Sequence, residues 1–300
     1  MSSTTQAKLS AHDQPAANPL SHLSKLGGSE PAQIDPGASE AGESSVLQFD
    51  AAIFDMDGVI TKTAAVHSLA WKRMFDDFLR IRAASRREPF KEFSHEHDYL
   101  SYVDGRPRYK GVETFLKSRR IDLPFGSPED PPGNETVCAL GNQKNAFFNQ
   151  VIETDGVSLF DSTIELIQEM LRRGIKVGLA TSSKNSAVIL KKTGTAPLFA
   201  TVVDGIVSER LGLKGKPEPD IFTAACSNLS VPFARAIVIE DAVSGVQAGA
   251  KGGFGLVIGV AREDNVEELR MHGAGLVVRD LSETSVEKIN LLLKAKRTGA

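Results

Sequence analysis

The sequence predicts an α/β fold: a doubly wound, Rossmann-like parallel sheet core with an inserted, mainly helical cap domain. Short apolar segments alternate with segments of 3.6-residue periodicity over the second half of the chain. Apolar runs of this kind are typical of strands buried on both faces of a parallel sheet, and alternation with helices implies right-handed crossovers. A charged, Pro- and Gly-rich segment follows the first predicted strand and helix, and we interpret it as part of the cap.

Each predicted strand is short and ends where polar residues begin. The first strand leads directly into Asp55-Met56-Asp57-Gly58, and the other five follow after residue 157. The predicted strands are Ala51–Phe54, Lys176–Ala180, Thr201–Val203, Ala236–Ile239, Gly255–Val260 and Leu276–Val278.

The predicted helices have apolar residues near 3.6-residue spacing. Gly174 is expected to close the second of them as its C′ residue. Between Ile81 and Asn142 we expect only short helical pieces such as Val112–Ser118. The predicted helices are Thr63–Arg80, Asp161–Arg173, Asn185–Thr193, Pro219–Asn228, Ala242–Lys251, Asn265–Met271 and Glu283–Lys294.

These elements divide the chain into three parts. Residues 1–47 are rich in Ser, Ala, Gly and Pro and lack aromatic residues, so we expect a disordered tail. Residues 48–62 and 156–300 form the predicted catalytic core. Residues 63–155 form the predicted cap, which includes an extended insertion.

Composition and charge argue against several classes of protein. The formal net charge is −3, and residues 1–47 carry two lysines and five acidic residues, which leaves the rest neutral overall. Neutrality disfavours nucleic acid or a membrane as partner. Cys138 and Cys226 cannot form a disulfide framework. Since no apolar run approaches the roughly 20 residues that span a bilayer, we expect a cytoplasmic protein.

Polar residues follow the predicted strands at several places, and ligands of open parallel sheets bind at the carboxyl ends of strands. Any one of these groups would be interpreted as an ordinary helix N-cap. All of them in this order favour a shared site instead. The groups are Asp55 with Asp57, Thr181-Ser182-Ser183-Lys184, Lys216 with Pro217, and Glu240 with Asp241.

The acidic residues among these groups indicate a bound cation and phosphoryl-transfer chemistry. Carboxylates gathered at one sheet edge repel each other unless a cation lies among them, and oxygen ligands favour magnesium over zinc. Thr181 and Lys216 offer donors suited to a phosphoryl group. Asp55 could then form an aspartyl-phosphate while Asp57 carries the proton. The predicted metal site comprises Asp55, Asp57, Glu240 and Asp241.

Four motifs occur in order between Phe49 and Leu293. They are Phe54-Asp55-Met56-Asp57-Gly58-Val59-Ile60-Thr61, Ala180-Thr181-Ser182-Ser183-Lys184-Asn185, Lys216-Pro217-x-Pro219-Asp220-Ile221-Phe222, and Ile239-Glu240-Asp241 with Ser244-Gly245. Together they resemble the motifs of the haloacid dehalogenase-like phosphotransferases, and within that family the beta-phosphoglucomutase branch.

The resemblance implies catalytic roles. Asp55 would be the nucleophile and Asp57 the general acid and base, while Thr181 and Lys216 would hold the transferring phosphoryl group. Magnesium would be bound by the side chains of Asp55 and Asp241 and by the main-chain carbonyl of Asp57, with Glu240 close by.

The predicted cap also resembles the mutase branch. Thr63-x-x-x-His67-x-x-x-Trp71-Lys72 is similar to its start, where the histidine couples cap closure to the acid/base residue. Arg108 would grip the distal phosphate, because a guanidinium suits phosphate oxygens, and Lys144 would lie over the sugar. A packed, hydrogen-bonded His67 and a core role for Trp71 are the simpler alternatives. The predicted substrate site comprises Arg108, Lys144, Trp71, Ser182, Ser183, Lys184 and Asn185.

The implied activity is magnesium-dependent phosphoryl transfer on a small-molecule sugar phosphate, in a monomer or weak oligomer. A mutase would move the group between C1 and C6 of a beta-glucose phosphate. A sugar-phosphate phosphatase, in which water accepts the group, is the alternative. A third hypothesis is a protein-binding lid over a vestigial site, which the intact acidic set disfavours.

Overall fold

Six parallel strands form a single sheet in the order β3-β2-β1-β4-β5-β6 in the computed structural model, which describes residues 46–298. The predicted tail, residues 1–47, lies outside the described residues except for its last two. The strands are β1 Ala51–Phe54, β2 Lys176–Ala180, β3 Thr201–Val203, β4 Ala236–Glu240, β5 Leu256–Val260 and β6 Leu276–Val278. All six predicted strands are therefore found, and the doubly wound parallel fold is confirmed.

The strand order reverses direction at β1, which pairs with β2 on one side and with β4 on the other. Ile53 lies opposite Gly178 of β2 and Val238 of β4. A crevice opens beyond the carboxyl ends of the strands at such a reversal, and ligands bind there in open α/β sheets.

Eleven α-helices connect the strands within the described residues. They are α1 Ala64–Arg86, α2 Leu100–Tyr102, α3 Arg108–Ser118, α4 Val137–Asp155, α5 Asp161–Arg172, α6 Ser186–Thr193, α7 Gly205–Leu211, α8 Asp220–Asn228, α9 Val243–Lys251, α10 Val266–Met271 and α11 Val286–Thr298. A π-helical turn at His95–Tyr99 precedes α2. Gly174 follows α5 with a φ of 76°, as predicted for its C′ position.

Helix α7 was not predicted, and three further helices depart clearly from the prediction. Helix α1 continues past Arg80 to Arg86, because Ala and Arg sustain a helix after the apolar periodicity ends. Helix α4 was not predicted: it begins at Val137, near the end of the segment expected to hold only short pieces, and the Thr136 side chain caps it by accepting from the Ala139 amide. Helix α11 starts at Val286 rather than Glu283, because an Asp280–Glu283 capping box forms a separate 3-10 turn first.

Two hydrophobic clusters cover the two faces of the sheet. Alternation along β1 sends Ala52 and Phe54 into one cluster and Ala51 and Ile53 into the other. The buried residues of a third cluster all lie between Trp71 and Leu140, and Phe147 is among the partly buried residues that pack against it. The segment between β1 and α5 thus has a core largely of its own, and we refer to residues 63–155 as the helical insertion.

The rings of Phe75, Phe93 and Phe115 pack at the centre of this third cluster, with centroid separations of 4.1 to 5.0 Å. Within residues 46–298, no helix combines the length and the apolar character that crossing a membrane requires.

Candidate active site

A cleft of about 640 Å³, counted with the solvent at its mouth, lies at the carboxyl ends of β1, β2 and β4 and beneath the helical insertion. Every residue that the sequence analysis placed in a catalytic, substrate or metal site lines this cleft. These are Asp55, Asp57, His67, Trp71, Arg108, Lys144, Thr181, Ser182, Ser183, Lys184, Asn185, Lys216, Glu240 and Asp241. The structure brings these residues together, and their individual roles stay predictions.

Three carboxylates form a cluster at the floor of the cleft. Asp55 follows β1, Glu240 ends β4 and Asp241 comes next, and one oxygen from each lies within 4.8 Å of the others. The Lys216 ammonium lies between two of them, 2.6 Å from Asp55 Oδ1 and 2.5 Å from Glu240 Oε1. The second oxygen of Glu240 accepts hydrogen bonds from the amides of Asp241 and Ala242.

Burial and mutual repulsion disfavour the charged forms of Asp55 and Asp241. Burial is the main reason that the pKa of Asp55 is raised, with Glu240 adding to it and Lys216 opposing it. Burial and then Glu240 also raise the pKa of Asp241. Burial alone would lower the pKa of Lys216, but the two neighbouring carboxylates raise it. One ammonium among three carboxylates, two of them buried, leaves excess negative charge, and an oxygen-only donor set of this kind fits a hard divalent cation.

Two glycines allow this close packing of carboxylates. A Cβ on Gly58 would lie 1.8 Å from Asp241 Oδ2, and Gly58 has a φ of 85° that other residues rarely adopt. A Cβ on Gly245 would lie 1.8 Å from Glu240 Oε1. The glycines of the first and fourth motifs therefore make room for the acidic cluster.

The side chain of Asp57 is bound by residues outside the cluster. It accepts a short hydrogen bond from Thr63 Oγ1, and His67 Nε2 lies 3.3 Å from its Oδ1. Burial would raise the pKa of Asp57, but His67 and Thr63 lower it. The role of the Asp57 main-chain carbonyl as a metal ligand, which the family resemblance implies, stays a prediction.

His67 connects Asp57 to Lys144. Lys144 Nζ lies 2.6 Å from His67 Nδ1, and when Lys144 donates to this nitrogen, a neutral imidazole carries its proton on Nε2, the atom nearest Asp57. Burial and the nearby Lys144 charge lower the pKa of His67. The ring also packs on Phe148 at 4.1 Å, so the expected packing role and the contact with Asp57 coexist.

Lys144 itself is buried, and burial followed by the charge of Arg108 holds its pKa well below the ordinary value. Its contact with His67 was not anticipated, because nothing local in the sequence connects positions 77 residues apart.

Arg108 begins α3 and reaches across the cleft. Its Nη2 donates to Asn145 Oδ1 at 2.8 Å, and Asn185 donates to the same oxygen at 2.9 Å. Burial lowers the pKa of Arg108. Asn145 thereby orients the arginine predicted to bind the distal phosphate, although the predicted site residues did not include it.

The residues after β2 form the opposite wall. Ser182 Oγ donates to the Gly105 carbonyl, and the Ser183 amide donates to Thr181 Oγ1 at 3.1 Å. The Lys184 ammonium lies 2.7 Å from Glu209, so it is already paired at the edge of the cleft.

Trp71 is both part of the hydrophobic core and part of the cleft wall. It is 4% exposed and stacks on Phe75 at 5.4 Å, and the Lys144 ammonium lies 5.1 Å from its ring. Its packing in the core is therefore found, and its role in binding substrate stays a prediction.

Three polar cleft residues were missed as candidates: Tyr99, Asp104 and Arg106. Asp104 and Arg106 shortly precede Arg108 in the sequence, and this proximity was the only available signal. The pKa of Asp104 is raised to about 6, mainly by burial and then by Glu240.

Comparison with known proteins gives a consistent assignment. A family model described as a haloacid dehalogenase-like hydrolase matches residues 49–253. A beta-phosphoglucomutase of Mycobacterium bovis is 42% identical over 236 residues, which cover 78% of this chain and 90% of that protein. A beta-phosphoglucomutase of Bacillus subtilis is 31% identical and covers 80% of this chain and 93% of its own length.

The fold is also similar to that of a solved beta-phosphoglucomutase structure. A crystal structure of a beta-phosphoglucomutase from Clostridium difficile superposes with a TM-score of 0.64 at 23% identity, over 83% of this chain and 99% of that one. The match of the family model over most of the chain, together with the shared fold and the motif residues gathered in one cleft, means that the chain belongs to the haloacid dehalogenase-like hydrolase family.

Proposed function

We propose that this protein is a magnesium-dependent beta-phosphoglucomutase, which converts beta-glucose 1-phosphate to glucose 6-phosphate through a phosphorylated Asp55. The observation that carries the proposal is the position of His67, Arg108 and Lys144. All three come from the helical insertion and line the same cleft as Asp55 and the acidic cluster. The relatives named beta-phosphoglucomutase, at 42% and 31% identity, support it.

Asp55 is the nucleophile. Lys216 binds Asp55 Oδ1, which leaves Oδ2 to attack phosphorus. In the cycle, phospho-Asp55 gives its phosphoryl group to the C6 hydroxyl and forms a sugar bisphosphate. Asp55 then takes the phosphoryl group from C1, and glucose 6-phosphate leaves.

Asp57 carries the protons of both half-reactions. It accepts the proton of the attacking sugar hydroxyl and returns it to the departing sugar oxygen. Thr63 orients its carboxylate by a hydrogen bond, and His67, whose Nε2 lies 3.3 Å from it, favours its charged form. Since His67 belongs to the helical insertion, its contact with Asp57 requires that the insertion cover the cleft.

The acidic cluster would hold magnesium through Asp55, Asp241 and the Asp57 main-chain carbonyl, with Glu240 near it. Magnesium bound there would neutralise charge on the transferring phosphoryl group. Lys216 and Thr181 supply the remaining donors from the protein, and burial strengthens their interaction with phosphoryl oxygens.

The alternative function is hydrolysis of a sugar phosphate. Both reactions use the same aspartyl-phosphate and differ in whether a sugar hydroxyl or water accepts the group. A closed insertion that excludes water favours the sugar. Two hydrogen bonds between the insertion and the sheet edge, from Ser182 and Ser244, support the closed arrangement.

A product assay decides between them. The protein is incubated with beta-glucose 1-phosphate, magnesium and a trace of beta-glucose 1,6-bisphosphate, and the products are separated. Glucose 6-phosphate as the main product supports the mutase. Inorganic phosphate with free glucose would establish the phosphatase instead. Repeating the assay with the alpha anomer tests the expected preference for beta.

Magnesium is expected to stabilise the fold, and more strongly at high pH. The raised pKa values of Asp55 and Asp241 mean that the folded state binds protons more tightly than the unfolded state. Without metal, stability should therefore fall as the pH rises above the ordinary carboxylate range. Magnesium binds the deprotonated cluster, so its effect should be larger at about pH 8 than at about pH 5.

Calorimetric unfolding with and without magnesium measures this effect. At a magnesium concentration about 100-fold above Kd the gain should be near 2.7 kcal/mol. Sodium chloride at equal ionic strength is the control. A magnesium effect that is larger at the lower pH would contradict the assignment of the cluster.

Arg108→Ala is expected to damage the mutase reaction far more than hydrolysis of a small phosphate ester. Only the sugar bisphosphate has a second phosphate for the guanidinium to bind. We expect a loss of about 100-fold or more in kcat/KM with the sugar phosphate and less than about threefold with the ester. Lys110→Ala, which removes an exposed cation from the same helix, is the matched control. Equal losses on both substrates would refute the distal-phosphate role.

A further inference from the structure

Residues 104–105 contact the sheet edge from the helical insertion, and we call them the docking loop. Ser244 Oγ, at the start of α9, donates to the Asp104 carbonyl at 3.0 Å, and Ser182 Oγ donates to the Gly105 carbonyl at 2.9 Å. The fit is close, because a Cβ on Gly105 would lie 2.4 Å from Ser244 Oγ and 3.0 Å from Ala242 Cβ. The docked loop is thus held by two neutral hydrogen bonds.

Docking also brings a further carboxylate to the cleft. The Asp104 side chain lines the cleft together with Asp55, Glu240 and Asp241. Like charges that line one cleft repel each other, so a charged Asp104 and the charged acidic cluster oppose each other. A hydrogen bond from Tyr99 and the charges of Lys216 and His95 act against this repulsion.

We propose that the docking loop couples cation binding to closure of the helical insertion over the cleft. When the acidic cluster holds no cation, the Asp104 carboxylate opposes docking. When a divalent cation neutralises the cluster, the opposition disappears and the two serine hydrogen bonds close the insertion. The inference rests on the magnesium site of the proposed function, and it makes Asp104 a positioning residue for Arg108, which lies four residues further along the chain.

The coupling has a reciprocal consequence. If magnesium favours the closed form by a given factor, closure raises the affinity for magnesium by the same factor. A substrate that closes the insertion would therefore retain the cation during turnover. Product release would weaken closure of the insertion and binding of the cation together.

A second contact between the insertion and the sheet core offers a matched control. His95 Nε2 lies 3.3 Å from Glu263 Oε1 in the loop between β5 and α10. Glu263 does not line the cleft. Glu263→Gln should weaken closure by a similar amount with and without magnesium, whereas Asp104→Asn should change the response to magnesium itself.

Trp71 reports closure, because it is the only tryptophan of the chain and lies in the cleft wall. Quenching of its fluorescence by acrylamide is measured in the full chain, with magnesium chloride or with sodium chloride at equal ionic strength. In the wild type we expect magnesium to lower the quenching constant about twofold or more, and to shift the open-to-closed ratio about tenfold.

Asp104→Asn should give the low, protected value with either salt, and the magnesium response should vanish. Glu263→Gln should keep a magnesium response of wild-type size. Ser244→Ala, a second variant with unchanged charge, should raise quenching in both salts. A full magnesium response in Asp104→Asn, or its equal loss in Glu263→Gln, would overturn the inference.

Failure of this inference can be told apart from failure of the proposed function. If the product assay yields glucose 6-phosphate while Asp104→Asn keeps the wild-type quenching response, only the coupling is wrong. If Asp104→Asn removes the response while no sugar phosphate is converted, the coupling stands and the proposed activity is wrong.

Discussion

We expect Asp55→Asn to abolish phosphoryl transfer, with a loss in kcat of about 10⁴-fold or more. The amide is a poor nucleophile, and the phosphorylated enzyme cannot form without the carboxylate. The fold should survive, because burial already raises the pKa of Asp55 and a neutral side chain suits the site. Steady-state assays of glucose 6-phosphate formation measure the loss, and trapping of a labelled acyl phosphate on the wild type identifies the intermediate.

Asp77→Asn is the matched control for this variant. Asp77 lies on α1, its carboxylate is 45% exposed, and it pairs only with Arg80 within the described residues. Its replacement should leave kcat unchanged within about twofold. Residual activity of Asp55→Asn above about one hundredth of the wild type would show that another group is the nucleophile. A wild type with no turnover and no magnesium-dependent phosphate binding would revive the hypothesis of a vestigial site.

Lys216→Met should cause the largest loss of stability, about 3 to 5 kcal/mol without magnesium. The Lys216 side chain is 1% exposed and is bound between Asp55 and Glu240. Removing the ammonium leaves two buried carboxylates without their partner, while the methionine fills most of its volume. Urea unfolding at neutral pH gives the free energy of unfolding directly.

Two further variants test the electrostatic cause. Glu240→Gln combined with Lys216→Met should recover part of the loss, because it removes one of the stranded charges. Lys251→Met breaks an exposed pair with Glu218 and should cost less than about 1 kcal/mol. Similar small losses for Lys216→Met and Lys251→Met would mean that Lys216 does not compensate buried charge.

The sheet was predictable because strand formation here depends on local composition. Each strand is an apolar run bounded by polar residues, and the bounds of β1, β2, β3 and β6 match the prediction. The helices were predicted less well where their signals are not apolar. Helix α7 was missed, because its start depends on Asp204, whose carboxylate accepts from the amides of Ile206 and Val207, rather than on an amphipathic pattern.

The candidate site was predicted from the order of its motifs. Parallel strands bring their carboxyl ends to one edge, so polar residues after β1, β2 and β4 had to meet there. The three missed residues, Tyr99, Asp104 and Arg106, lie before α3 in a segment without a regular pattern. Their position in the cleft depends on how the insertion packs against the sheet edge.

The sequence by itself determined the parallel sheet, the residues that meet at its carboxyl edge and the carboxylate and hydroxyl groups that they bring there. Only the tertiary structure decided which of these residues bind each other. It pairs Lys216 with Asp55, 161 residues away, and Lys144 with His67, 77 residues away. Periodicity and residue type act over a few positions along the chain, whereas these pairings arise from packing between distant segments and from the shared cost of burying their charges.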